Sequence, residues 1–276
     1  MAYAYQGDSA LDYFPCRYGT SRLLFRGPGI SLAGPYLAAL GGTETYGKFV
    51  PQPWPALLEL GTGLPVANLA CINAGPDVFL NEEAILDIAA GARATVVQIP
   101  GAQNLTNRYY AVHPRRNDRF LRAQPLLRAM YREVDFTEFH FTRHMLTALR
   151  QVGPERFEIL AEELRATWIA QMKTMLARLE GRAILLWMKD QSPVAVPMTD
   201  GPNGPVPVDQ AMIAAILPFA AAYVEVVASP AAMASGSRGM VFAPLEAPIA
   251  AELPGPAAHR EVATALMPHL ARLAGK

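Results

Sequence analysis

Small polar residues that stand just past short apolar runs are the first candidates for chemistry in this chain. "LAALGGTETYG" places Thr43, Glu44 and Thr45 after Gly41 and Gly42. "PVANLACINAG" ends in Asn73 and Gly75, and "ATVVQIPGAQN" runs into Gln103 and Asn104. A late histidine, His259, stands in "GPAAHREV". A hydroxyl, a glycine amide, side-chain amides and an imidazole are together the components of an acyl-transfer site. The hydroxyl needs a base to become a nucleophile, and an oxyanion needs donors already in place. The alternative is structural: Thr43 caps the following turn through its hydroxyl, and His259 sits near a helix start on the surface. A literal Gly7-Asp8-Ser9 follows no strand and precedes no glycine-supported elbow, so it is read as a chance match.

A second group is cationic. "HPRRNDRFLR" gathers His113, Arg115, Arg116, Arg119 and Arg122 in ten residues. Guanidinium forks grip phosphate, sulfate or carboxylate, so the segment fits an anion clamp with His113, Arg115, Arg116 and Arg119 as ligand contacts. It equally fits ion pairs with Glu133, Asp135 and Glu138. "DFTEFHFTRH" puts His140 and His144 four apart, on one face if the segment is helical. Without a third ligand, paired structural histidines are expected rather than a metal site. No phosphate-loop or dinucleotide fingerprint is present, and no cofactor is expected.

The elements that must position these residues follow from pattern. Apolar runs at 36–42, 65–75, 94–101, 182–189 and 223–229 read as five strands. Between them lie helical stretches: one opened by the prolines of "PWPALLELGTG", one at 81–92 with Asn81 as N-cap, a long amphipathic one at 154–181, and one near 209–221. A last helix is expected over 254–275. Alternating strands and helices with short connections predict an α/β fold, a three-layer doubly wound parallel sheet. Ligands of such sheets bind beyond the carboxyl ends of the strands, where Thr43, Glu44, Asn73, Gly75, Gln103 and Asn104 all fall. The expected organisation is one domain over 1–276, with an irregular arm at 1–34. A mainly helical insertion over 105–180 follows the third strand and turns helical from about Asp118.

Composition excludes several classes. The 276 residues are 51% hydrophobic and 17% charged, with a formal net charge of zero. That balance argues against a general electrostatic grip on nucleic acid. No apolar run is long enough for a membrane span, and the first residues lack the basic start and apolar core of a secretory leader. Two cysteines, Cys16 and Cys71, without metal-like spacing suit a reduced cytoplasmic setting.

The order of parts resembles the SGNH (GDSL-type) hydrolases. "GGTETYG" is similar to their first block with Thr43 at the serine position, "NAG" to the second, "GAQN" to the third and "GPAAHREVATALMPHL" to the last. The resemblance implies a flavodoxin-like sheet, Thr43 as nucleophile, His259 as base, and Gly75 and Asn104 as oxyanion donors. It depart from the pattern at two positions: threonine replaces serine, and Pro256 stands where an aspartate usually orients the histidine. Asp200, Asp209 and Glu246 are the other acids considered for that role. Separately, "YFPCRYGTSRLLFRGP", "NRYYAVHPRRNDRF" and "REVDFTEFHFTRHML" are similar to an uncharacterised bacterial family of unknown function, which implies no activity. The expected function is therefore an SGNH-like esterase or acyltransferase acting on a small-molecule or glycan-type substrate, possibly anionic. The alternatives are sulfuryl or phosphoryl transfer through the arginines, or a ligand-binding protein without catalysis.

Overall fold

A computed structural model describes residues 11–196 and 205–274. Gly7-Asp8-Ser9 and Asp200 lie outside the described residues. In chain order the elements are β1 (Leu37–Leu40), α1 (Thr43–Tyr46), α2 (Trp54–Thr62), β2 (Val66–Asn68), α3 (Pro76–Leu80), α4 (Glu83–Gly91) and β3 (Thr95–Gln98). There follow a hairpin of β4 (Tyr110–His113) and β5 (Arg116–Ala123), then α5 (Pro125–Met130), α6 (Thr142–Val152) and α7 (Pro154–Arg178). The chain continues with β6 (Ala183–Lys189), α8 (Gln210–Ile216), β7 (Ala222–Val227), α9 (Pro230–Ser235), α10 (Ala247–Ala251) and α11 (Pro256–Ala274).

Five strands form one parallel sheet in the order β2-β1-β3-β6-β7. The inner strands are buried on both sides, which explains their unbroken apolar sequences. Leu37 and Ala39 of β1 face a core built with Trp54 and Leu58 of α2 and Val262, Leu266 and Leu270 of α11. Ala38 and Leu40 face the opposite core, with Ile85 and Leu86 of α4, Leu164 and Trp168 of α7, and Ile213 of α8. The result is the expected α/β architecture, a parallel sheet between two helical layers. Between β1 and β3 the chain path reverses, since β1 leads outward to β2 and β3 leads the other way to β6. That reversal opens the crevice in which α/β sheets bind ligands.

The long helix α7 starts with Pro154 at its first turn and repeats buried residues at Phe157, Leu160, Ala161, Leu164, Trp168, Met172 and Met175. Trp168 donates its indole N–H to the Pro100 carbonyl at 3.1 Å, fixing the segment that leaves β3. α7 is thus the crossover helix between β3 and β6 and packs on the sheet itself.

Three sequence expectations are corrected. Asn81 ends α3 instead of starting α4, whose N-cap position is Glu82. Residues 116–123 form strand β5, where the sequence suggested a helix from about Asp118. His140 lies before α6, which begins only at Thr142, so His140 and His144 do not share a helix face. Phe141 is held extended by a bridge to Arg119, and His144 stacks edge-on against Phe139. Among the described residues, no group of three or more His, Cys, Asp or Glu side chains could hold a metal, and no helix is long and apolar enough to cross a membrane.

Residues 11–34 are largely irregular but anchored. Phe25 is fully buried, and Arg26 is buried with its guanidinium directed at the carbonyls of Tyr46, Gly47 and Pro51 at 3.3, 2.6 and 2.8 Å. The first two carbonyls lie at the end of α1, where a helix leaves its last acceptors without intrahelical donors, and the third lies in the loop that leads to α2. Arg26→Ala is expected to lower stability by about 2–4 kcal/mol, since three carbonyls, that of Gly47 buried and the others partly so, lose a charged donor. A urea titration of both proteins measures this; an unchanged midpoint would show that the arm does not support the elbow.

Candidate functional site

The elbow after β1 is organised by one amide. Gln98, the last residue of β3, accepts at its Oε1 from the Gly42 N–H (3.1 Å), the Thr45 N–H (3.2 Å) and the Thr45 hydroxyl (2.5 Å). Its Nε2 donates to Glu44 Oε2 at 2.9 Å. Glu44 also receives the Lys189 ammonium at 2.9 Å, from the end of β6. The side chains of this pair are 18% and 28% exposed. Burial alone would raise the Glu44 carboxyl, but the Lys189 charge and the Gln98 hydrogen bond outweigh it and hold the group down at about 2. The Glu44 charge in turn raises Lys189, so both stay ionised at neutral pH. Glu44, expected to bind substrate, is instead spoken for by Gln98 and Lys189. Polar residues that end buried strands were the signal for Gln98 and Lys189, neither of which stood out in the sequence.

Thr43 opens α1 and is partly exposed. Its hydroxyl donates to Asn73 Oδ1 at 3.0 Å and accepts from the Asn73 N–H at 3.0 Å. Asn73 sits in the left-handed region at φ 55°, which asparagine tolerates better than most residues. Its Nδ2 donates to Asp118 Oδ2 at 3.2 Å, and its carbonyl accepts from Asn104 Nδ2 at 3.1 Å. Asn104 Oδ1 accepts from the Thr142 hydroxyl at 2.7 Å. Gly75 lies against Asn104: a β-carbon on it would fall 1.7 Å from the Asn104 carbonyl oxygen, so no larger residue fits. The sequence-predicted Thr43, Asn73, Gly75 and Asn104 therefore meet at the carboxyl ends of β1, β2 and β3.

The hairpin completes this cluster. Asn117, fully buried, accepts at Oδ1 from the N–H groups of Gly75 (2.9 Å) and Val78 (3.0 Å) and donates to the His113 carbonyl. The two donors expected for an oxyanion are thus engaged, Gly75 by Asn117 and Asn104 by the Asn73 carbonyl. Asp118 and Asn117, present in the arginine-rich segment, supply contacts that sequence reasoning did not assign.

His259 does not join Thr43. It is buried in the first turn of α11, where its Nδ1 accepts the Trp54 N–H at 3.0 Å. Its other hydrogen bond goes to Pro254, and since proline has no N–H, the ring donates to the Pro254 carbonyl. Burial, reinforced by the nearby Arg26 charge, lowers its pKa to about 3. The expected surface position and the expected base role are both corrected: the imidazole is a neutral structural bridge between α11 and the start of α2. The acids considered as its orienter are placed elsewhere. Asp209 caps α8 through the Met212 N–H and faces Arg165, while Glu246 accepts from the Ala243 N–H and faces Lys48.

The remaining candidates divide. Arg115 and Arg116 are exposed at the turn of the hairpin, two and one residues before Asn117. His113 Nδ1 accepts from the Arg115 N–H at 3.2 Å. The Arg119 guanidinium stacks 4.4 Å from the Phe141 ring centre, with its Nε buried and without a hydrogen-bond partner. Gln103 lends its carbonyl to the Tyr110 hydroxyl at 2.7 Å and keeps its side-chain oxygen buried without a partner. Of the acids expected to pair with the arginine cluster, Glu133 pairs instead with Arg156 and Asp135 caps its own turn at Thr137.

The profile of the domain-of-unknown-function family DUF6473 matches residues 1–274, and the chain belongs to that family. No curated protein matches the sequence. Among solved structures, one that is similar is a carbohydrate esterase family 2 enzyme with its carbohydrate-binding domain from Corynascus thermopiles (Myceliophthora fergusii). It is 11% identical, with 91% of this chain and 69% of that chain covered and a TM-score of 0.42. A likeness of that degree carries no argument about activity.

Two stability predictions follow from the ionisable groups. Lys189→Met leaves the Glu44 carboxylate poorly solvated and without its partner, at a cost of about 3–5 kcal/mol. Adding Glu44→Gln to that variant is expected to restore most of the loss in a urea titration, and a double variant no better than the single would refute the pairing. The second concerns acid. The folded His259 stays neutral down to pH about 3, whereas the unfolded imidazole protonates near its ordinary 6.5. The unfolded state therefore binds the extra proton between those values, and stability falls as pH drops from 6.5 towards 3 by a total on the order of a few kcal/mol. Glu44 adds a loss in the same direction only below its ordinary 4.5. Between pH 6.5 and 5, the stability slope is expected to flatten in His259→Gln; an unchanged slope would contradict the buried neutral ring.

Proposed function

We propose that this chain is an SGNH-type ester hydrolase or acyltransferase that works at the carboxyl end of the sheet on a small or glycan-type substrate bearing polar or anionic groups. The observation that supports this most is the Thr43 hydroxyl, partly exposed and bonded to Asn73, which in turn bonds to Asp118 and Asn104. Asp118 takes the base role in this reading, since His259 is committed to Trp54 and Pro254. Asn73 stands between Thr43 and Asp118, so substrate entry must turn its exposed side chain aside for the hydroxyl to meet the carboxylate.

The chemistry then balances simply. Thr43 Oγ1 attacks the acyl carbon and its proton passes to Asp118. The alcohol leaves with that proton, and the acyl group stays on Thr43. Water, or a second alcohol, attacks the acyl–threonine with Asp118 again taking the proton, which returns to Thr43 Oγ1 as the acyl group departs. Asn104 Nδ2 would have to leave the Asn73 carbonyl, and the Gly75 N–H would have to leave Asn117, before either could serve the oxyanion. Arg115 and Arg116, exposed beside Asn117, suit an acidic group on the substrate.

A second reading has its own support. Thr43 gives its proton to an amide oxygen, which cannot act as a base, and both expected oxyanion donors are occupied. That arrangement suits a binding site that holds a polar ligand without reacting. A screen of short-chain aryl esters and acetylated sugars separates the two. Hydrolysis by the wild type, reduced about 100-fold or more in both Thr43→Ala and Asp118→Asn, supports the catalytic reading. Hydrolysis unchanged in Thr43→Ala, or no turnover of any ester together with ligand binding lost in Asp118→Asn, sinks it.

A further inference from the structure

Away from Thr43, two adjoining hollows run along the start of α11. One, of about 580 Å³, is lined by Ala231, Ala232, Ala257 and Ala265. The other, of about 370 Å³, is lined by Pro51, Leu57, Pro256 and Arg238. Ser235, Ala257 and Arg260 belong to both, so the two form one continuous groove between α9, α11 and the approach to α2.

The groove has a small-residue, methyl-rich wall and a cationic rim. Arg238 and Arg260 are both exposed, and no carboxylate lies within ion-pair distance of either among the described residues. The one acid on the lining is Glu261. Both of its oxygens are taken by Ser229, Oε1 by the hydroxyl at 2.5 Å and Oε2 by the N–H at 3.0 Å. It is tied to the start of α9 and, among the described residues, makes no ion pair with either arginine. The nineteen-residue helix α11 begins at Pro256, so the positive end of its dipole lies at the same place. Gly255 keeps the two walls together: a β-carbon there would fall 2.1 Å from the Gly236 carbonyl, so the segment carrying Arg238 packs directly against the start of α11.

We propose that this groove binds a small aliphatic carboxylate, with the acid on Arg238 and Arg260 and the alkyl body along Ala231, Ala232, Ala257 and Leu57. Two unpaired guanidinium groups select an anion. The methyl-lined wall selects an apolar body and offers little to a hydrated inorganic ion. The proposal is independent of the ester chemistry assigned to Thr43, which it neither uses nor requires.

Octanoate is the probe, with octanol and inorganic sulfate as the forms lacking charge and lacking tail. Binding to the full chain is measured by calorimetry or ligand-observed NMR. Octanoate is expected to bind at least about tenfold more tightly than either control. Its affinity is expected to fall about tenfold in Arg260→Ala and further in Arg238→Ala/Arg260→Ala. Both arginines are exposed, so these variants fold. Arg272→Ala, on the same helix but off the groove, leaves binding unchanged. Octanoate affinity equal in the double variant and the wild type, equal binding of octanol, or no octanoate binding at millimolar concentration would overturn the proposal.

Discussion

The elbow at the carboxyl end of the sheet depends on the side chain of Gln98. Its oxygen collects three donors from Gly42 and Thr45, and its nitrogen meets a carboxylate that is itself held by Lys189. β1, β3 and β6 are thereby tied at their ends through polar contacts, in addition to the ladder that joins them. An amide that both accepts and donates is needed here. A carboxylate at this position would face Glu44 with like charge, and an apolar residue would leave buried donors without partners. The direction of Thr43 is a consequence of that knot, because the turn carrying it has its first amides fastened to β3.

Much of the fold was legible in the sequence because the relevant signals are local. Short apolar runs, three of them stopped by glycine, located the five parallel strands, and a 3.6-residue stripe located α7. The hairpin was not legible. Only Asn117, Phe120 and Ala123 of β5 are buried, and irregular register around Val112 breaks the two-residue alternation that marks a strand. A polar, arginine-rich segment with that spacing looks helical on paper.

At the site the boundary runs along sequence separation. Thr43, Asn73, Gly75 and Asn104 were legible because each follows a strand, and strand ends of a parallel sheet gather on one side by construction. His259 was misread because its environment comes from far away: the Trp54 N–H that fixes its ring is 205 residues distant. A structural histidine and a catalytic one can have the same neighbours in sequence. The orientation of an imidazole is decided by which donors and acceptors surround it, and here these are backbone groups whose position no residue type discloses.

The attachment of the β4–β5 hairpin has a kinetic meaning. Its two strands are close in sequence and pair antiparallel, so they can form on the microsecond scale of isolated hairpins. The parallel ladders close much longer loops and form more slowly. The Gly75 and Val78 amides, however, find their acceptor only when Asn117 of the finished hairpin docks on the finished sheet. The turn that presents Asn73 to Thr43 is therefore completed by the meeting of two units of different speed. By this reasoning the candidate site is expected to be among the last parts of the molecule to acquire its shape.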